Sequence, residues 1–258
     1  MKRCSKCLMA ETKPGIVFDE NGVCQACLHH AARKDVDWEL RLKSLQTLTR
    51  YHRRYDGSYD CIIPVSGGKD SYYQVHTIKE HCKMNPLLVC VGDHYAHTGA
   101  GIKNLRNLQK VFNCDLITAK LDPDLARTLT RRAFEQFGSP TWPIDRMIYC
   151  WPLQVAKQMG IQLVVYGENV SYEYGGFQNE DTASAKEQIN NDVAKAVPEG
   201  FFNGISPART NMLQYPDVTN MEPIYLSYYV PWSGLVNLKY AQTKGFKPLH
   251  WGKMMRAG

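Results

Sequence analysis

An α/β fold built on a doubly wound parallel sheet, with a small cysteine-rich module ahead of it, is what this 258-residue sequence predicts, on three observations. Short apolar runs alternate with helical stretches from residue 58 onward; the glycine-rich segment "SGGKDS" (66–71) follows the first run directly; two Cys-x2-Cys pairs stand within the first 27 residues. Strands alternating with helices are the pattern of a parallel sheet with crossover helices. The length suits one large α/β domain with an appendage better than two full domains.

The appendage comes first. Cys4 and Cys7 are separated by sixteen residues from Cys24 and Cys27, within "RCSKCLMAETKPGIVFDENGVCQACLHH". Each pair forms a knuckle presenting two thiolates to one tetrahedral ion, and "PGIVFDENGVC" reads as a strand, a "DENG" turn and a return. This is the zinc-ribbon pattern, with structural Zn²⁺ as the expected metal and an iron–sulfur cluster as the alternative. His29 and His30 follow at once as substitute ligands that a complete cysteine set makes unnecessary. A module of residues 1–34 cannot build its own core, so metal binding supplies much of its folding free energy and its expected job is docking or scaffolding. Cys61, Cys82, Cys90, Cys114 and Cys150 sit in apolar contexts and read as core residues.

Residues 35–57 form the link. Trp38, Leu42, Leu45 and Leu48 make a helical stripe that "DGSYD" ends. The nucleotide-domain stretch, residues 58–170, opens on "CIIPV", a continuous apolar strand of the kind buried on both faces. Next come Ser66, Gly67, Gly68, Lys69, Asp70 and Ser71, and a helix running to about Cys82. Glycines allow the sharp turn, and the N–H groups opening the helix favour an anion, so strand, turn and helix make a phosphate site. Walker A needs Gly-Lys followed by Ser or Thr, and the dinucleotide fingerprint needs G-x-G-x-x-G; neither can be laid on "SGGKDS".

Three further strands follow. "NPLLVCVGDHY" ends in Gly92 and Asp93; a helix over "KNLRNLQKVF" leads to "CDLITAKL"; a helix over "DLARTLTRRAFEQFG" and another from about Ile144, kinked or restarted at Pro152, lead to "IQLVVYGENV". In a doubly wound sheet ligands lie beyond the C-terminal strand ends, which makes Gly92 and Asp93 candidates. Residues 171–258 depart from the alternation: a polar, aromatic insertion is followed by a strand and a helix over "IYLSYYVPWSGLVNLKYAQTKGF". Long segments beyond strand ends supply substrate contacts, so Tyr172, Glu173, Tyr174, Gln178 and Arg209 are assigned to the substrate side, flat tyrosines stacking on sugar faces and amides and carboxylates binding hydroxyls.

Composition narrows the classes. Hydrophobic residues make up 44% and charged residues 22%, no stretch approaches the roughly 20 apolar residues of a membrane helix, and the start lacks a signal-peptide core, so a cytoplasmic protein with no membrane association is expected. The net charge of +6, with "RYHRRY" (50–55) and "RTLTRR" (127–132), suits phosphorylated metabolites; such runs are commonly solvated helix faces, and nucleic acid is not expected as a partner.

"SGGKDS" resembles the PP-loop of the ATP pyrophosphatases, S-G-G-x-D-S, enzymes that cleave ATP between the α and β phosphates. The resemblance implies that Pro64, Ser66, Gly67, Gly68, Lys69, Asp70 and Ser71, with Gly92, Asp93, Gly167 and Glu168, hold ATP and Mg²⁺, and that Lys69 and Asp70 act in catalysis. The cysteine ribbon, "PVSGGKDS", "VVYGENV" and "YVPWS" together resemble the N-acetyl sugar amidotransferases, a branch serving bacterial surface-polysaccharide (lipopolysaccharide O-antigen) synthesis. That implies an acetamido group on a nucleotide-linked N-acetyl sugar, adenylated and then displaced by ammonia to an acetamidino group, with release of AMP and pyrophosphate. No cysteine sits in a nucleophile-elbow context, so ammonia is expected from a separate glutaminase through a synthase-like channel subunit, for which the ribbon offers a docking surface. The abrupt "KPLHWGKMMRAG" is shorter than the resembled family and implies a truncated form. A PP-loop tRNA-modifying enzyme, of thiolation or lysidine type, and a non-catalytic zinc-ribbon nucleotide-binding module are the alternatives; only Cys150 lies in the middle helical region, so the paired thiols of tRNA thiolases are not evident.

Overall fold

A computed structural model describes residues 1–95, 98–177, 180–186 and 197–249. Its centre is a five-stranded, all-parallel sheet: β1 (Cys61–Pro64), β2 (Pro86–Val91), β3 (Leu116–Ala119), β4 (Leu163–Tyr166) and β5 (Glu222–Tyr225), in the order β3-β2-β1-β4-β5. The strands are near-continuous apolar runs because alternate residues enter two different cores. Cys61, Ile63, Leu88, Cys90, Leu163 and Val165 face one layer; Ile62, Leu87, Val89, Val164 and Tyr166 face the other.

The first layer holds α2 (Trp38–Tyr51), α3 (Lys69–His76), α4 (Gly99–Phe112) and α7 (Gly234–Thr243), which meet around Leu45, Tyr72, Val75, Leu108 and Ala241. The linking helix therefore packs on the sheet: Leu45 is fully buried, with Leu42 and Leu48 beside it. The second layer is α6 (Trp142–Gln158), through Cys150, Leu153 and Ala156. A third cluster joins α5 (Pro123–Phe137) to the start of α6 and to Phe201 and Leu213 of the insertion.

Two helices differ from expectation. α6 begins at Trp142, with Pro143 in its first turn where the missing N–H costs nothing, and it runs through Pro152 without a restart. Pro152 leaves the Ile148 carbonyl without its helical donor, yet both residues line a cavity while Cys150, Leu153 and Ala156 on the sheet face hold the helix in place. α4 starts at Gly99, four residues before the apolar stripe, because the Thr98 side chain accepts the Gly101 N–H and caps it.

In the front module Asp19 accepts the N–H groups of Asn21 and Val23, closing the expected "DENG" turn, and Phe18 bridges Cys24 antiparallel. The chain then forms α1 (Gln25–Ala32), a helix the sequence reading did not include. Among the described residues no helix is long and apolar enough to cross a membrane.

Candidate functional site

Strand order changes direction at β1: β2 lies on one side and β4 on the other, so the crevice of the sheet opens beyond the C-terminal end of β1. That is where residues 66–71 fall. Gly67 adopts φ +77°, and a Cβ there would lie 2.9 Å from the Leu105 side chain of α4, so a side chain is excluded by backbone and by space. Gly68 is the N-cap of α3 and offers no side chain to the helix terminus, leaving its first N–H groups to a ligand. The turn is braced from within: the Ser66 N–H donates to Ser71 Oγ (3.1 Å), the Gly68 N–H to Ser66 Oγ (3.3 Å) and the Ser71 N–H to the Gly68 carbonyl (3.1 Å).

Asp70 is fixed on both carboxylate oxygens. Lys69 Nζ donates to Oδ2 at 2.6 Å, and the buried Asn237 of α7 donates to Oδ1 at 2.8 Å. Gly234, at the start of α7, lies close enough to Lys69 that a Cβ would be 3.4 Å from Cε. This helix therefore fixes Asp70 and starts close beside Lys69.

A cavity of about 320 Å³ opens beside the loop, lined by Pro64, Ser66, Asp70, Ser71, Gln74, Tyr149, Tyr166, Gly167 and Glu168. Burial raises the Glu168 carboxyl above the usual range, and the charges of Asp70 and Glu173 raise it further. Two carboxylates bordering one cavity beside a helix N-terminus are a hard-oxygen donor set, and they fit Mg²⁺ accompanying a polyphosphate. Gly167 is kept bare by Trp232, whose ring would lie 3.3 Å from a Cβ there.

A second cleft, about 660 Å³, lies between the cysteine module and the loop, with Lys6, His30, Arg33, Lys69, Asp70, Glu173, Tyr174 and Trp232 among its walls. Module and sheet domain are locked together around it. Arg33 pairs with Glu173 and donates to the Trp232 carbonyl (3.1 Å), His29 stacks on Tyr172 at 4.2 Å between centroids, and Gln25 Nε2 donates to the Gly176 carbonyl (3.0 Å).

The four Sγ atoms of Cys4, Cys7, Cys24 and Cys27 lie within 4.8 Å of one another, with Cys4 to Cys27 at 3.9 Å and Cys7 to Cys24 at 3.6 Å. A tetrahedral ion with 2.3 Å bonds to sulfur needs S···S edges of about 3.8 Å, so the donors fit one Zn²⁺. Burial raises the thiols of Cys24 and Cys27, the latter to about 12; at Cys4 the amides of Cys24, Cys7 and Lys6 outweigh burial and lower it to about 6. A dication compensates the charge that these crowded sulfurs otherwise resist. The five other cysteines are buried, as their apolar contexts implied.

The expected residues distribute as follows. Pro64, Ser66, Asp70, Ser71, Gly167 and Glu168 meet in the first cavity; Lys69, Asp70, Glu173 and Tyr174 meet in the second. Gly67 and Gly68 shape the turn. Gly92 and Asp93 lie past the end of β2, where Lys120 crosses over Gly92 and Asp93 accepts the Tyr95 N–H; neither lines the two cavities. Tyr172 is engaged by His29, and Arg209 pairs with Asp122, the N-cap of α5, at 2.7 Å. Gln178 lies outside the described residues. The sequence reading missed Gln74, Tyr149, Trp232 and Asn237. Gln74 had a local signal, one helical turn after Asp70, and Trp232 lies inside the quoted "YVPWS".

No protein-family model matches the chain. It is 27% identical over 177 residues to an uncharacterized protein of Methanocaldococcus jannaschii, a match covering 68% of this chain and 62% of that protein. Among solved structures it is similar to the NH3-dependent NAD synthetase of Campylobacter jejuni (TM-score 0.40, 15% identity, 56% of this chain and 64% of that one). It is also similar to a U34-tRNA thiolase of Methanococcus maripaludis with a 4Fe–4S cluster (TM-score 0.43, 15% identity, 96% and 74%). A third is an NMN synthetase of Francisella tularensis (TM-score 0.38, 11% identity, 86% and 91%). At these scores the site's own residues carry the functional reading.

Proposed function

We propose that this chain is a cytoplasmic ATP-dependent amidotransferase of the PP-loop type, acting on the acetamido group of a nucleotide-linked N-acetyl sugar. The observation that carries the reading is Asp70: a carboxylate inside a glycine phosphate loop, held by Lys69 and Asn237, with Glu168 on the same cavity. A loop built only to grip phosphate gains nothing from an acid there, whereas one that must release pyrophosphate uses it to recruit Mg²⁺. Asp70 and Glu168 would hold that ion, which when bound offsets the charge of the departing group.

The loop N–H groups, Lys69, Ser66 and Ser71 hold the β and γ phosphates. The amide oxygen of the acceptor attacks the α phosphorus, the bond to the bridging oxygen breaks and pyrophosphate leaves, while the amide nitrogen gives up its proton. Ammonia then adds to the imidate carbon, and AMP departs with the original oxygen. An amide oxygen is a poor leaving group, and adenylation makes it a good one. Ammonia comes from a separate glutaminase through a synthase-like channel subunit.

The five cysteines outside the module are buried, with their thiols raised by burial, so none of them is placed as an accessible thiolate; a PP-loop tRNA-modifying enzyme is the alternative that the test separates. The test is mass spectrometry of acetamido nucleotide-sugars incubated with ATP, Mg²⁺ and ammonium. A product lighter by the difference between oxygen and NH is expected; an unchanged mass across the panel, with RNA bound at physiological salt, would overturn the reading.

A further inference from the structure

The cleft between the cysteine module and the phosphate loop meets the nucleotide cavity at one residue, Asp70, which lines both. A molecule in the cleft thus reaches the loop from the side that the nucleotide leaves open. Its walls are held close. A Cβ on Gly15 would lie 2.5 Å from the Phe177 nitrogen, and one on Gly175 would lie 2.5 Å from Ile16 Cδ1, so module and sheet domain interlock through bare backbone. With the Arg33–Glu173 pair and the His29–Tyr172 stack, these contacts fix the module's face toward the loop.

Of the charged groups lining the cleft, Arg33 is matched by Glu173 and Lys69 by Asp70. Lys6, between the two cysteines of the first knuckle, and His30, at the end of α1, are exposed and form no ion pair among the described residues, while Glu173 is within electrostatic reach of His30. Lys6 and His30 are therefore the module-side donors left for a ligand at the edge of a wall that also carries the Cys7 and Cys27 sulfurs. Tyr174, half exposed, offers a ring face between these donors and the loop.

We infer that this cleft is the acceptor site: the cysteine module is its wall, with Lys6 and His30 binding a phosphate group, Tyr174 stacking against a sugar ring, and the reacting group set at Lys69 and Asp70. The occupant is a phosphorylated, sugar-bearing small molecule, an assignment that deepens the proposed amidotransferase reading and rests on it. The module then contributes to substrate recognition directly, besides any docking of a partner.

The test uses the metal-loaded full chain with a non-hydrolysable α,β-methylene ATP and Mg²⁺ present, titrated with UDP-N-acetylglucosamine by calorimetry. N-acetylglucosamine and bulk tRNA serve as comparison titrants. Binding of the sugar nucleotide is expected, with neutral N-acetylglucosamine weaker by about tenfold or more, the value of one charge-assisted contact. Lys6→Glu and Tyr174→Ala should each weaken the sugar nucleotide by a similar factor while leaving affinity for the ATP analogue and metal content unchanged. Unaltered binding in both variants, no binding by wild type, or displacement of the sugar nucleotide by tRNA would each overturn the assignment. Turnover is read separately: if the cleft binds as described and no AMP forms with ammonium and ATP, the reaction fails and the cleft assignment stands.

Discussion

The cysteine module and the sheet domain are ordered by different physics. The sheet domain buries two continuous apolar layers, with Ile62, Ile63, Tyr72, Leu88 and Leu153 fully inaccessible. Among the described residues the module buries only Cys4, Val23 and Cys24 of its hydrophobic side chains, and two of those three belong to the four-cysteine group that could hold a metal. One region is held by burial, and the other is built around a cysteine group that fits a metal and around what it leans on. Their contact, through Arg33, Glu173, His29 and Tyr172, lies beside the phosphate loop, so a local change in the module is felt at the site.

The sharpest way to break the comparison is to remove the metal. Chelation, or Cys24→Ser, should unfold residues 1–34 while the sheet domain keeps its own thermal transition, because structural zinc supplies about 10 kcal/mol or more to such a module. Two-dimensional NMR with and without chelator reads both regions at once; simultaneous loss of both sets of signals would show that the sheet domain depends on the module. The converse is Ile63→Ala in β1, which should destabilise the sheet domain by about 2–5 kcal/mol in denaturant titrations and leave metal content intact.

A smaller effect is expected at the joint. Glu173→Ala leaves Arg33 half-buried without its carboxylate and should loosen docking by about 1–3 kcal/mol. A double-mutant cycle with Arg33→Ala should recover part of that loss; strict additivity would mean the pair does not couple the regions.

The smallest effect concerns pH. Because Glu168 has a folded-state pKa raised above its unfolded value, the native state binds its proton more tightly, and stability falls as pH rises from the unfolded value through the folded one. Glu168→Gln should therefore be at least as stable as wild type near neutral pH while losing Mg²⁺-dependent activity. A variant less stable at neutral pH would assign Glu168 a structural role.

How much of this was legible in sequence follows from range. β1, the glycine turn and α3 were readable because each depends on neighbours a few positions away: an apolar run, two glycines, a helical segment. The four cysteines were readable because knuckle spacing is itself the geometry. Asn237 was not, since it reaches Asp70 across 167 positions and its own helix carries no motif. Tyr149 reaches the cavity only because α6 crosses the sheet there, and Pro152, which by local rules should have interrupted the helix, is overridden by the packing of its neighbours. Tyr172 and Glu173 were assigned to the substrate because their segment lies beyond a strand end, and their partners on α1 and just beyond it, His29 and Arg33, emerged only from the fold.

The central claim is that the Asp70 loop releases pyrophosphate, and phosphorus NMR of ATP, Mg²⁺, ammonium and an acetamido nucleotide-sugar tests it directly. The account predicts AMP and pyrophosphate in equal amounts, dependent on the sugar nucleotide, and about 10²–10³-fold slower in Asp70→Asn, as for loss of a charge aimed at the transition state. Formation of ADP and phosphate, or turnover indifferent to Asp70→Asn, would contradict it.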